Sequence, residues 1–549
     1  MNTFNSLRRD FLRTGSLGLA AAAVPAVSHA AGNSRSVAGA SPTQGIFDVR
    51  SYGATGDGKT LDTDAINRAI EAAAAAGGGV VLFTAGVYLS FSIRLKSQVH
   101  LHLEQGSTIL AAESPKPGEQ TGYNGGVYDA AEPKTAWDAF QDYGHNHWHN
   151  SLIWGEDIHD FSITGTGLIW GKGLSFGAGR AARGNYPIYT AEQAGVGNKA
   201  IALKNCRNVL LRDFSILKGG HFALLLTGVD NLTIDNLLID TDRDGMDIDC
   251  CQNVRVSNCA VNSPWDDGIC PKSSFALGYA RPTRNLTIDS CWVAGYYELG
   301  SVLDGTFKKF APDARLAHNG RIKCGTESNG GFINITISNC IFEGSQGYAL
   351  ESVDGALLED ITISNTTMRD IYTGPLFYRL GARLRGPKNS TKVGTFKRVL
   401  VSNLTCYNAS PHQASILSGI PGYPLEDLKL SNVYIETPGG GTGDDAKAQP
   451  TEQVDNYPDP GRFGTTPSTG FFLRHIRNLE MSHVEIANRA PDVRAAFHLA
   501  DVERADFFAV TAPRGADGAF ALHDVKDLRI GWSRAAADAT LATVDSKTL

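Results

Sequence analysis

Residues 231–258 read NLTIDNLLIDTDRDGMDIDCCQNVRVSN. The stretch opens on Asn231-Leu-Thr-Ile-Asp-Asn236 and closes on Asn253-Val-Arg-Val-Ser-Asn258, the same phrase 22 residues later. Further copies begin at Asn334, Asp360 and Asp427, and weaker ones at Asn208, Asn285, Arg398 and Asn478, with terminal echoes near Asp506 and Asp527. Self-similarity at this spacing marks stacked coils rather than one globular core. Apolar residues alternate within each phrase, which fits short strands buried on one face. About 22 residues hold a rung of two or three such strands with their turns, and longer intervals are rungs carrying inserted loops. Leucine-rich repeats are the competing solenoid, but the phrase lacks their leucine spacing and their helices. The reading is an all-β, single-stranded, right-handed parallel β-helix. Its turn asparagines adopt left-handed geometry and hydrogen-bond their copies on the next rung, forming a ladder. This also accounts for the Asn-x-Thr matches at Asn231, Asn285 and Asn334 without glycosylation.

The 549 residues include 60 glycines and carry a formal charge of -7. Such a balance provides no general attraction for nucleic acid or an anionic membrane, so an acidic ligand requires a local basic cluster. Arg8-Arg9-Asp10-Phe11-Leu12-Arg13, the apolar run Leu17 to Val27 and Ser28-His29-Ala30 read as a twin-arginine export signal over 1–30, an ordinary Sec signal being the alternative. A flexible linker over 31–44, a β-helix domain over 45–535 and a tail over 536–549 are expected to follow. The mature protein is expected to be a periplasmic or extracellular monomer. Nine cysteines are an odd number without paired Cys-x-x-Cys spacing, which argues against a disulfide framework or zinc. Cys259, Cys291 and Cys340 follow the repeated phrase and are expected to stack in the core.

One helix is expected, about Asp62 to Ala76, capped by Asp62 or Thr63, ended by Gly77-Gly78-Gly79, and closing the N-terminal end of the sheet stack. Two insertions break the repeat. Residues 112–154 hold Tyr123, Tyr128, Trp137, Tyr143, His145, His147, Trp148, His149 and Trp154, either sugar-stacking residues or packing for the loop; Trp148 and His149 are the sugar-binding candidates. Residues 437–471 form a long loop suited to walling one end of a groove.

Asp244 and Asp266 are one period apart and are expected at equivalent places on adjacent rungs, spaced by about 4.8 Å. Presenting Asp267 as well requires a turn or bulge, which Pro264 and Gly268 support. Mutual repulsion in this patch keeps one carboxyl protonated and another ionised, as glycoside hydrolysis requires. One rung plus side-chain reach is compatible with the roughly 6.5–9.5 Å gap of inverting enzymes. Solvated turn aspartates, or a calcium site at Asp242, Asp244, Asp247 and Asp249, are the alternatives. Arg321 and Lys323 share one strand face and suit a substrate carboxylate.

These residues resemble the polygalacturonases and relatives of glycoside hydrolase family 28. The family's Asn-Thr-Asp-Gly motif is similar to Asp242-Arg243-Asp244-Gly245, keeping the Asp and the Gly. Its Asp-Asp motif with downstream Lys-Ser resembles Asp266-Asp267-Gly268-Ile269-Cys270-Pro271-Lys272-Ser273, and its Arg-Ile-Lys motif matches Arg321 to Lys323. The resemblance implies that Asp266 is the general acid and that Asp244 and Asp267 activate water. It further implies that Arg321 and Lys323, with Lys272, bind substrate, and that neither a cofactor nor a metal is used. The family's Gly-His-Gly is absent from GYYELGSVLDG (295–305), where Tyr296, Tyr297 and Glu298 are the candidates to replace its histidine; Tyr297 and Glu298 are also substrate-binding candidates. The expected activity is exo-acting, inverting hydrolysis of α-galacturonosyl linkages in pectin or rhamnogalacturonan. A calcium-dependent pectic lyase on the same fold and a non-catalytic carbohydrate-binding β-helix remain alternatives.

Overall fold

The computed structural model describes residues 45–141, 143–175 and 191–549. The expected export signal and linker lie outside the described residues, as does the Tyr143 side chain. Among the described residues the chain winds in parallel strands, and each rung of the central region supplies three. The rung after Asn231 is Asp230–Asp235, Leu238–Asp240 and Asp244–Asp249. Each pairs in parallel with its counterpart one rung away, as Leu232 does with Val254, Ile239 with Val261 and Met246 with Ile269. Inward residues such as Ile234, Ile239, Ile248 and Val256 have no exposed surface and fill one continuous core. Each such buried side chain stabilises the coil by ~1.5–3 kcal/mol.

The predicted ladder is present on two edges. Asn208, Asn231, Asn253, Asn285 and Asn334 all have φ between 51° and 58°. The Asn231 amide donates to Asn208 at 2.8 Å, Asn285 to Asn253 at 2.9 Å and Asn334 to Asn285 at 2.9 Å. At the second turn Asn365 donates to Asn339, Asn403 to Asn365 and Asn432 to Asn403. The amides of Asn231, Asn285 and Asn334 are thereby engaged between rungs. Cys259, Cys291 and Cys340 are buried in the core, each Sγ donating to a carbonyl two residues earlier, and all nine cysteines are free.

The helix α1, Thr63–Ala75, buries Ala65, Ile66, Ala69, Ile70 and Ala73 against the start of the coil. Its capping differs from expectation. Asp62 makes no cap bond to the helix; its carboxylate instead accepts from the Thr55 and Gly56 N–H groups at 2.7 and 3.0 Å. Thr63 Oγ1 accepts from Phe91 N–H at 2.9 Å. These residues serve the preceding turn and the neighbouring strand. At the other end, Ala539–Thr548 is no free tail: it pairs antiparallel with Phe520–Gly531 and covers the last rung's open edge.

One wall of the coil is a separate six-stranded sheet of β1 (Ile93–Arg94), β2 (Ile153–Glu156), β3 (Lys199–Lys204), β4 (Phe222–Thr227), β5 (Asp244–Asp249) and β6 (Ile269–Lys272). A bridge from Ile269 to Ile322 leads on to β7 (Lys323–Cys324), which pairs with β8 (Tyr348–Ser352) and then β9 (Leu376–Leu380). The outward face of this wall carries the charged residues discussed below. The 437–471 insertion is tied to it by two buried guanidiniums: Arg379 donates to the Gln453 carbonyl at 2.9 Å, and Arg474 to Pro450 and Thr451 at 2.8 and 3.0 Å.

Replacing a mid-ladder asparagine tests the coil. Asn334→Ala loses an amide bond and forces a Cβ residue lacking a compensating side-chain contact to stay left-handed, an expected cost of ~2 kcal/mol. Asn334→Gly loses only the bond and is expected to cost less. Denaturant midpoints should rank wild type above Gly above Ala, and equal midpoints for Gly and Ala would remove left-handed strain from the account.

Candidate active site

The register corrects the expected pairing of the aspartates. Met246 pairs with Ile269, so the same register runs back to Asp244 and Asp267, with Gly245 N–H donating to the Asp267 carbonyl at 3.0 Å. Asp267, not Asp266, lies opposite Asp244. The turn before β6 is one residue longer than the turn before β5, and that residue lets Asp266 project beside Asp267. Ser263 holds this turn, its Oγ donating to the Arg243 carbonyl at 2.5 Å and the Asp266 carbonyl at 2.9 Å. The bulge anticipated near Pro264 and Gly268 is this turn.

Asp244, Asp266 and Asp267 do converge: one oxygen of each lies within 4.8 Å of the others. This is tighter than the gap anticipated from one rung plus side-chain reach, because the longer turn folds Asp266 back toward the strand. Their surroundings differ. Asp267 is buried and accepts from Arg321 Nε at 2.7 Å and Lys323 Nζ at 2.8 Å. Burial pushes its carboxyl up, but the Lys323 and Arg321 charges outweigh that and hold it below the usual carboxylate range. Asp244 is buried, and its Oδ1 has no hydrogen-bond partner. Burial, then the charges of Asp266 and Asp247, raise it well above the usual range. Asp266 is the most exposed of the three at 15% and accepts from Arg243 Nε and Nη2 at 3.2 and 3.1 Å. The patch thus holds an ionised carboxylate, a protonated carboxyl and a partly exposed carboxyl.

Arg321 and Lys323 share one face as the spacing predicts, but their first contact is Asp267, with Arg321 Nη1 left unpartnered. Lys272 lies behind the aspartates, 3.2 Å from Glu327 and 3.8 Å from Asp247. Arg385 meets the other Glu327 oxygen at 2.9 Å. Burial pushes Glu327 up, and Lys272, His145 and Arg385 outweigh it, leaving Glu327 well below its ordinary value. His145, from the 112–154 insertion, is buried 3.3 Å from Asp247 and 3.9 Å from Glu327, its ring against Phe222. Burial lowers the imidazole, but Glu327 and Asp247 outweigh it and raise it overall.

The remaining candidates lie elsewhere. Tyr297 is buried among Tyr296, Trp292 and Phe307, and Glu298 pairs with Lys308 at 2.8 Å; the structure does not bring either to the aspartates. The 295–305 segment packs on the wall carrying Leu238 and Trp292, so its aromatic rings face a different side of the coil. Tyr296 donates to Glu343 at 2.6 Å. The group contacting Asp266 is instead Arg243, from the motif position where the resemblance has a threonine. Trp148 is a packing residue: it is buried against Ala202, Phe222, Leu225 and Ala276, with Nε1 donating to Thr227 at 3.0 Å. His149 stacks on Trp154 and meets Glu156 at 2.8 Å. Its neighbour Glu156 already pairs with Lys204 at 2.7 Å.

Two of the alternating aspartates have protein partners. Asp249 accepts from Ser274 N–H and Oγ–H at 2.8 and 2.6 Å, and Asp247 faces Lys272 and His145. Sequence reading missed Arg243, Glu327, Glu351, Arg385 and Tyr457 as site residues. Arg243 stood visibly in the departing motif, whereas Glu327, Arg385 and Tyr457 sit in loops with no repeat to place them. From the second insertion, the Tyr457 ring centre lies 5.8 Å from Lys323 Nζ and 5.7 Å from the Arg383 guanidinium.

Comparison with known proteins agrees with this architecture. The family model "Rhamnogalacturonase A/epimerase, pectate lyase-like" matches residues 46–132, and "Right handed beta helix region" matches residues 199–368. A probable polygalacturonase of Vitis vinifera is 25% identical over 405 residues, covering 70% of this chain and 73% of that protein. A Juniperus ashei polygalacturonase is 22% identical, covering 72% and 69%. Among solved structures, the Yersinia enterocolitica family 28 exopolygalacturonase aligns with a TM-score of 0.59 at 19% identity, covering 85% of this chain and 78% of its own. The Thermotoga maritima exopolygalacturonase aligns at 0.53 and 18% identity, covering 71% and 87%. These structures share the fold. With the family models and the curated relatives beside them, the chain is a right-handed parallel β-helix similar to the polygalacturonases.

Proposed function

We propose that this protein is a glycoside hydrolase that cleaves α-galacturonosyl linkages of pectin or rhamnogalacturonan. The observation that carries this reading is the convergence of Asp244, Asp266 and Asp267 in three different environments, beside Arg321 and Lys323. The polygalacturonase relatives support the same chemistry. Asp266, the most exposed member, delivers a proton to the glycosidic oxygen as the C–O bond breaks. Asp244, whose buried carboxyl keeps its proton, has an oxygen within 4.8 Å of one on Asp266 and replenishes the proton that Asp266 gives up. Asp267, ionised by Arg321 and Lys323, takes a proton from the water that attacks the anomeric carbon. Inversion by a single displacement is taken from the family resemblance and not from the spacing, since the three carboxylates lie closer than the gap expected of inverting enzymes.

Exo action is supported by the two insertions: His145 reaches the aspartate network from 112–154, and Tyr457 reaches Lys323 from 437–471. The positive charge that a calcium ion would bring to a lyase site is already supplied here by Lys272, Arg321 and Lys323. Export through the Arg8-Arg9 segment completes the reading, and Arg8→Lys with Arg9→Lys should retain the protein in the cytoplasm on cell fractionation.

Assay on homogalacturonan, rhamnogalacturonan fragments and nitrophenyl galacturonide should yield new reducing ends from at least one of them. Unsaturated products that absorb in the ultraviolet and vanish with chelator would instead establish a lyase. Asp266→Asn is expected to lower kcat by ~10²–10⁴-fold with KM little changed, the usual range for losing a general acid. Unchanged turnover would exclude Asp266 from the chemistry. Proton NMR of the first product should show the anomer opposite to the substrate linkage, and a monosaccharide as that product would establish the exo mode.

A further inference from the structure

Glu351 lies on β8, in the rung after Lys323, where Lys323 pairs with Ala349 and Cys324 with Leu350. Tyr348 and Leu350 face the core, so strand alternation turns Glu351 outward onto the wall that carries Arg321 and Lys323. Its side chain leans across Gly325: a Cβ there would stand 2.9 Å from a Glu351 carboxyl oxygen. Glu351 has no exposed surface, and neither carboxyl oxygen has a hydrogen-bond partner. Arg321 Nη1, on the same face, is likewise buried and unpartnered. A buried polar group left without a bond is costly, and two of opposite character on one face amount to hydrogen-bonding capacity kept for a ligand.

We propose that Glu351 is a specificity-determining residue of the subsite built by Arg321 and Lys323: protonated, it admits a sugar carboxylate, and ionised, it competes with that carboxylate for the same cations. The inference rests on the uronate-hydrolase reading and deepens it. The titratable groups facing Glu351 are Lys323, Arg321, Asp267 and Asp459, with Tyr457 and the Cys324 thiol beside it. Asp267 is ionised and offsets one of the two positive charges. Asp459 is partly exposed, so solvent screens it, and its carboxylate accepts from Gly461 N–H at 2.7 Å. A protonated Glu351 therefore leaves positive charge and a free Arg321 donor for a uronate, and an ionised Glu351 removes that excess. Burial, against the opposing pull of Lys323 and Arg321, raises the Glu351 carboxyl to about 7, so the change falls in the neutral range.

The test measures KM and kcat for trigalacturonate and for its methyl ester across the range in which Glu351 titrates, roughly pH 5 to 9. For the wild-type protein, KM on the acid should climb by up to about tenfold per pH unit above the Glu351 midpoint, while KM on the neutral ester stays level. In Glu351→Gln both substrates should give level KM profiles. A wild-type acid profile as level as the ester profile, or an unchanged slope in Glu351→Gln, overturns the proposal. Should Glu351→Gln fail to fold, the comparison of the two substrates on wild type decides by itself. Should wild type turn over neither substrate, the homogalacturonan branch of the hydrolase reading falls. Calorimetric titration of galacturonate at both ends of the pH range then decides the subsite separately: tighter binding at the acid end upholds it, and equal binding overturns it.

Discussion

Hydrogen bonds between successive rungs dictate where every outward side chain on the charged wall stands. Because the strands run parallel and in register, outward residues form rows with a spacing of about 4.8 Å, too close for a row of like charges. The chain answers by alternating sign along and between rows. Asp247 lies by Lys272, Asp267 by Lys323 and Arg321, and Glu327 between Lys272 and Arg385. Buried ion pairs of this kind repay their desolvation only when geometry and hydrogen bonding are good. Here the rung register supplies that geometry before any ligand binds.

The same constraint separates three chemically identical side chains. Asp267 holds the register just before β6 and meets two cations from the next rung. Asp244 is in register too but is buried and faces carboxylates, so its proton is retained. Asp266 is off the register, carried by the one extra turn residue, and is consequently the aspartate that remains partly exposed. A single inserted residue therefore adds a third carboxyl, in a third environment, to a pair of stacked aspartates.

Insertions supply what the rungs cannot. His145 and Tyr457 reach the charged wall from distant segments of the chain, and neither could be placed from a repeat. Buried Arg379 and Arg474 hold the second loop by bonding its carbonyls, a use of guanidinium in which the fork satisfies backbone acceptors rather than a substrate. Trp148, in the first loop, does corresponding work by packing on Phe222 and Leu225.

The sequence by itself determined the coil, its turn geometry and the conjunction of the aspartates with Arg321 and Lys323. These follow from local rules: the alternation in phrases such as Asn231 to Asn236, the left-handed tolerance of asparagine, and the stacking that a fixed period imposes. It also exposed Arg243 as a departure at a motif position, without saying what that arginine meets. Only the tertiary structure decided that Asp267, rather than Asp266, faces Asp244, because one turn residue shifts the register. Only it directed Tyr297 and Glu298 to another face, buried Trp148, and brought His145, Glu327, Glu351 and Tyr457 around the aspartates. Those placements depend on loop paths and on contacts between residues far apart in the chain, which periodicity does not encode.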